Sequence, residues 1–307
     1  MYKFSGHESF PFRYPWLPKA YFALKSNTSL FVNEENAMLE LGVGKNMVRA
    51  IRFWIQAIGI ATSSGKGNFD IKDFGRVLLS EEGYDPYLED IKTLWLIHWK
   101  LVTKIDEPLF AWDYMLNRWQ YPEIIRSNVI ESFYREANKL ERNLSPVTLG
   151  QHFDIFLHSY VPTHNNKSDL FEDNLDCPLV ELNLIQSIGE RRNISTGNHE
   201  LIYRFRREDK PEISNELFIY CLNEFWNTHF TNEQTLSFRD ICIGHGSPGQ
   251  VFKIPEANIK ERLVNIENVS QGAFSYMETN SLQQVIKREV PERDFLAEIY
   301  LRENACA

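Results

Sequence analysis

The sequence predicts a mainly α-helical protein with small β wings: an N-terminal winged helix-turn-helix, a central helical region and a candidate second winged helix at the C-terminus. Three observations predict it. Apolar residues recur at spacings of three and four along most of the chain, the period of an amphipathic helix. Extended runs are few and short. Near the N-terminus, two helical patterns flank Gly42-Val43-Gly44, and a glycine-rich polar stretch, SSGKGN, follows them.

In chain order, helical patterns fall at residues 35–41, 45–58, 90–103, 123–142, 148–159, 214–228 and 256–267, with extended runs at 68–72, 201–206 and 273–277. The polar stretch VPTHNNKSDLFEDNLD at 161–176 reads as a long loop, and REDKPEI at 207–213 as a second break. Three regions result: 1–105, 106–210 and 211–307. No fixed-period repeat and no low-complexity tract interrupts them.

Composition narrows the class. A hydrophobic fraction of 43% and an aromatic fraction of 13% are enough to build cores, which excludes wholesale disorder. No run approaches the ~20 apolar residues of a membrane span. MYKFSGHESF lacks the apolar centre of a signal peptide. The cytoplasm is the expected location, without a membrane partner. Cys177, Cys221, Cys242 and Cys306 form no C-x-x-C pair and read as free thiols.

The net charge of −9 excludes indiscriminate coating of nucleic acid, so any DNA contact requires locally concentrated positive charge. Residues 42–79 supply it, with six basic residues against two acidic, whereas 168–181 holds five acidic residues and no basic one. Within the positive segment, Ala37 and Leu41 mark the buried face of the first helix. The glycines supply a tight turn. Val48, Ile51, Ile55 and Ile58 make one apolar stripe on the second helix. Lys45, Asn46, Arg49 and Arg52 lie mostly off that stripe, where a recognition helix faces the major groove. Asn reads adenine and Arg reads guanine, while Lys more often meets phosphate. A hairpin over the next stretch forms a wing with Lys66 at its tip. The same pattern suits a packing or dimerisation unit whose basic residues face solvent.

At the C-terminus, SNELFIYCLNEFWNTHF with Ser214 as N-cap, LSFRDICIG, SPGQVFKIPEANIKERLVNI and AFSYMETNSLQQVI give the order helix, helix, helix, wing. Lys253, Lys260 and Arg262 would line its third helix and are second DNA- or partner-contact candidates. Glu256, Glu261 and Glu267 on that helix suit a plain packing domain equally.

Three places hold residue types suited to catalysis. Gly6-His7-Glu8-Ser9 offers a general base, His7, beside a carboxylate, Glu8. Asp85, Glu89 and Asp90 of DPYLED offer the oxygen ligands that Mg²⁺ or Mn²⁺ takes from protein, and His98 beyond them offers a general base. Glu89 and Asp90 also suit the opening of a helix, through its dipole. GHGSPG at 244–249 is neither a nucleophile elbow nor a P-loop and reads as a turn between helices.

FSGHESFPFRYPWLPK, LGVGKNMVRAIRFW, DPYLED with TLWLIHW, DCPLVELNLI and SPGQVFKI, in that order, resemble the domain family of unknown function found in DNA phosphorothioation gene clusters. The resemblance runs from residue 4 to about 286 and is strongest to the nicking subunits of single-strand phosphorothioation systems. It implies a DNA-binding protein of anti-phage defence that nicks one strand in a divalent-metal-dependent way, opening the backbone for sulfur insertion. It implies a sulfurtransferase as partner. His7, Glu8, Asp85, Glu89 and Asp90 lie inside the matching blocks. Two non-enzymatic readings stand beside the nickase: an adaptor that recruits the sulfurtransferase, through Asp169, Glu172, Asp173 and Asp176, and a transcriptional regulator.

Overall fold

The computed structural model describes residues 1–162, 177–193, 197–288 and 293–301. It is about half helical with small antiparallel sheets, as the sequence predicts. The chain divides into two compact units, Met1–Met115 with Trp119–Arg206, and Leu116–Arg118 with Arg207–Ala307.

The first unit opens with α1 (Trp16–Ser26), α2 (Glu34–Leu41), α3 (Lys45–Ile58), the strands β1 (Ala61–Gly65) and β2 (Asn68–Ile71), and α4 (Asp73–Leu79). It continues with α5 (Ile91–Val102), α6 (Phe110–Asp113), β3 (Ile124–Ile125), α7 (Arg126–Lys139), α8 (Pro146–Tyr160), β4 (Ile185–Arg192) and β5 (His199–Phe205). Local chemistry sets the helix starts. The Asn33 side chain accepts from the N–H groups of Glu35 and Asn36, Asp90 caps α5, and Ser145 with Pro146 behind it opens α8. β1 and β2 form one hairpin, and β3, β5 and β4 form a three-stranded sheet in that order.

α5 is buried on every side, with Trp95, Ile97, His98 and Trp99 all inside. That position is the one a helix apolar all round requires. Trp54 of α3 meets Trp112 of α6 at 5.8 Å between ring centroids, and Trp112 meets Phe156 of α8 at 5.4 Å. These edge-on contacts join residues from the N-terminal and central regions into one core within the first unit, which takes in residues 1–105 and most of 106–210.

The second unit contains α9 (Asn215–His229), β6 (Thr235–Ser237), α10 (Phe238–Ile243), α11 (Pro248–Phe252), α12 (Glu256–Val264), α13 (Ile266–Val269), β7 (Phe274–Glu278), β8 (Gln283–Lys287) and α14 (Phe295–Leu301). Ser214 caps α9 through the Leu217 N–H at 3.2 Å. The strands pair in the order β6-β8-β7, all antiparallel. Within GHGSPG, Gly244–Ser247 is the turn between α10 and α11, and Pro248 and Gly249 open α11. There Gly249 lies so close to the Cys242 carbonyl oxygen that a Cβ would come within 2.3 Å of it.

Candidate nucleic-acid interface and the turn beside it

α2 ends where Gly42 turns left-handed at φ 64°, a conformation that costs glycine nothing. Gly44 is extended and opens α3 at Lys45, and a left-handed Gly59 closes it after Ile58. The buried face of α3 is wider than the stripe of Val48, Ile51, Ile55 and Ile58. Ala50, Phe53, Trp54 and Ala57 are inside as well, because α1, α5 and the N-terminal segment all pack on it. The Trp54 indole donates to the Phe10 carbonyl at 2.9 Å, which ties that segment to the helix.

Lys45 and Asn46 are exposed, and Arg49 and Arg52 are half-buried at the surface. Arg49 grips the Glu34 carboxylate with both arms of its fork, Nε to Oε1 at 2.7 Å and Nη2 to Oε2 at 3.2 Å. Lys45 reaches the same carboxylate at 3.0 Å. Hydrogen bonds from Arg49 and then Lys45 hold the Glu34 carboxyl down to about 2. The hairpin after α3 pairs Ala61 with Ile71 and Gly65 with Asn68, and Lys66 is exposed at its tip. Lys66 and Gly67 both have positive φ, 53° and 84°, as a tight hairpin turn demands. Toward the C-terminal end of α3, Lys104 donates to the Gln56 carbonyl at 2.5 Å. Burial, then the charges of Lys3 and Lys72, lower its pKa to about 8.

Gly6–Ser9 packs beside this helix. The Phe10 N–H donates to the His7 carbonyl at 2.9 Å, and the two residues between, Glu8 and Ser9, are left-handed at φ 49° and 62°. Such conformations cost non-glycine residues of order 1–3 kcal/mol each and cluster at functional sites. Gly6, at φ 111°, has no room for a side chain: a Cβ would come within 2.9 Å of Phe53 Cδ2. His7 is buried, and its ring meets that of His152 edge to edge in nearly one plane, with 3.2 Å between Nε2 and Nδ1. The Ala111 N–H donates to His152 Nε2 at 3.1 Å, and the Ser9 N–H donates to His7 Nδ1 at 3.2 Å. Burial lowers the His7 pKa to about 4, and burial together with His7 presses His152 well below its ordinary value. Both rings are neutral at pH 7. Glu8 is exposed on the turn, and its charge favours the protonated Arg49.

The structure places the other predicted residues elsewhere. Asp85 is buried, and its two carboxylate oxygens accept from the backbone N–H groups of Glu89 at 2.8 Å and Asp90 at 2.9 Å. Asp90 caps α5 through the Lys92 N–H at 2.8 Å, and Glu89 is exposed. His98 is fully buried, 2.8 Å from the Tyr160 hydroxyl. Among the described residues, no three His, Cys, Asp or Glu side chains group so as to hold a metal ion. Asp85, Glu89 and Asp90 therefore do not fit a divalent cation as a ready-made set, because the Asp85 oxygens already hold the loop that leads into α5.

In the second unit Lys253 is in the interior, while Lys260 is exposed and paired with Glu278 at 2.7 Å. The Arg262 guanidinium donates to the carbonyls of Ile213 at 2.7 Å and Lys210 at 3.0 Å, and so braces the loop before α9. Cys177, Cys221 and Cys242 are buried free thiols, and burial pushes Cys242 up to about 12. Cys306 and the acidic residues Asp169, Glu172, Asp173 and Asp176 lie outside the described residues. Glu181 accepts a hydrogen bond from the Tyr14 hydroxyl. Glu34 and His152 escaped the sequence reading. Glu34 lies 15 residues from Arg49, and His152 lies 145 residues from the partner that gives it meaning.

A family model described as a protein of unknown function, DUF4007, matches residues 4–301. The chain belongs to the DUF4007 family. Among solved structures, it is similar to a magnesium ion-bound SspB crystal structure, with 26% identity and a TM-score of 0.83 over 96% of this chain and 87% of that one. A second SspB crystal structure matches at 26% identity and a TM-score of 0.82, with the same coverage. The protein is thus SspB-like along nearly its whole length, in line with the resemblance carried by the five sequence blocks. Among curated proteins, no sequence matches it. No helix among the described residues is long and apolar enough to cross a membrane.

Proposed function

We propose that this chain is the DNA-engaging component of a DNA phosphorothioation system, and that α2, α3 and the β1–β2 hairpin act as a winged helix-turn-helix. The observation that carries the reading is α3 itself. One side of it anchors in the core through Trp54, while Lys45, Asn46, Arg49 and Arg52 remain at the surface, and the hairpin that follows is tipped by the exposed Lys66. In this reading Asn46 and Arg52 address base edges, and Lys45, Arg49 and Lys66 address phosphates. Lys260 is the exposed basic candidate of the second unit. The similarity to SspB supports the assignment to a phosphorothioation system, with a sulfurtransferase as partner.

Strand nicking dependent on Mg²⁺ or Mn²⁺ is the activity we assign on the strength of that similarity, with Glu8, exposed on its strained turn beside α3, as the candidate carboxylate. His7 positions that turn. Two experiments test the reading. Arg49→Ala combined with Arg52→Ala weakens duplex binding by roughly 2–4 kcal/mol; unchanged affinity in the folded double variant makes α3 a packing element. Supercoiled plasmid incubated with Mg²⁺ or Mn²⁺, with and without EDTA, tests nicking. Plasmid left fully supercoiled makes the protein a DNA-reading adaptor that recruits the sulfurtransferase.

A further inference from the structure

We propose that Glu34 is the selectivity residue of this DNA-docking face: its carboxylate occupies the place on Arg49 and Lys45 that a backbone phosphate takes in the bound state, so a duplex engages α3 only by displacing it. The inference rests on the reading of α3 as the DNA-docking helix.

The geometry supports exchange. Arg49 holds Glu34 through two near-parallel N–H···O contacts, at 2.7 Å and 3.2 Å. A guanidinium uses the same fork on a phosphate. Lys45 adds a third contact at 3.0 Å. Glu34 stands in the first turn of α2, behind the Asn33 cap, where a negative charge is favoured by the helix dipole. Its side chain is partly exposed, at 30%, and so are those of Lys45 and Arg49, at 56% and 37%. The carboxylate can therefore swing into water without disturbing the core. Arg52 stands outside this ion pair.

The consequence is a filter. One carboxylate for one phosphate is an exchange of like charges, and it brings little net gain for a single misaligned contact. A duplex in register offers several phosphates and base edges together, and only that sum displaces Glu34. Binding to arbitrary DNA, which is almost entirely phosphate contact, is suppressed most.

The test is fluorescence anisotropy of the full-length chain on a labelled duplex of arbitrary sequence, across a salt series. Glu34→Gln tightens binding by about five- to tenfold at low salt, and the log–log salt slope steepens by about one. Glu40→Gln, at the other end of α2, removes the same charge and changes affinity by less than about twofold. Equal or weaker binding by Glu34→Gln overturns the proposal, as does an equal gain from Glu40→Gln, which would reveal a bulk charge effect. If Glu34→Gln does not fold, Glu34→Asp keeps the charge but draws it back from Arg49, and must shift affinity in the same direction. Weaker binding by Arg49→Ala with no effect of Glu34→Gln removes the role of Glu34 and leaves α3 as the docking helix. No effect of either substitution overturns both.

Discussion

Lys253 is buried to 2% exposure, with its ammonium donating to the Leu116 carbonyl at 2.5 Å and to Gln250 Oε1 at 3.3 Å. Burial, then the charges of Arg207 and Lys210, brings its pKa from 10.5 down to about 7. In the unfolded chain the lysine regains its ordinary value, so between pH 7 and 10.5 the unfolded state binds more protons than the folded one. Stability therefore rises with pH across that window. Each full unit of pH is worth about 1.4 kcal/mol. Since the folded lysine is half-protonated at the lower edge, the gain from pH 7 to 9 is roughly 2 kcal/mol. Lys104 acts in the same direction from about pH 8, and His7 only near pH 4 to 6.5. The comparison that isolates Lys253 is therefore wild type against Lys253→Met, by urea denaturation followed by circular dichroism at pH 7, 8 and 9. Methionine fills the same space but removes the titration and the donor to Leu116. The variant gains relative stability at the acid end, and loses the gain by pH 9. Parallel pH profiles for the two proteins would refute the reasoning, because they would mean that Lys253 stays charged in the folded state.

Two further outcomes concern the turn and the loop before α5. Gly6→Ala must bring Cβ within 2.9 Å of a Phe53 ring that is itself wedged against His7 and Trp54; with the added backbone strain at φ 111°, it destabilises by roughly 2–4 kcal/mol, and a shift in urea midpoint equivalent to less than about 1 kcal/mol refutes the packing argument. Asp85→Ala strips acceptors from the Glu89 and Asp90 N–H groups and costs about 1–3 kcal/mol by thermal or urea unfolding. An Asp85→Ala protein of wild-type stability that has lost metal-dependent nicking would assign Asp85 to the chemistry instead.

Legibility followed sequence distance. α3 runs from Lys45 to Ile58, as its glycine borders and its stripe predict, because both signals are local. α1 is absent from the helices read from the sequence; in the structure Pro15 and Pro18 occupy its N-cap and first turn, where a missing N–H goes unused. β4 went unread because its centre faces solvent on both sides, so IQSIGERR shows no alternation. Asp85, Glu89 and Asp90 carried two readings, and only the backbone geometry of the loop gives Asp85 and Asp90 their structural hydrogen bonds. The contact of His7 with His152, and the grip of Arg49 on Glu34, depend on which segments lie side by side. Residue spacing carries no signal for either.

The long-range contacts give the sequence blocks a common physical purpose. The first block opens with a turn that fits only because Gly6 lacks a side chain against Phe53, and Phe53 belongs to the second block. The same turn is fastened through His7 to His152 on α8, and His152 in turn accepts from the N–H of Ala111 on α6. Burial keeps both rings neutral at pH 7, so this link does not loosen as pH varies through the physiological range. Two left-handed residues in succession, Glu8 and Ser9, persist because this buried contact and the Trp54–Phe10 hydrogen bond hold both ends of the segment. A strained turn fixed this firmly would be wasteful as a mere linker. Its effect is to hold one exposed carboxylate, Glu8, in a defined place near Arg49, on the helix that carries the cationic face.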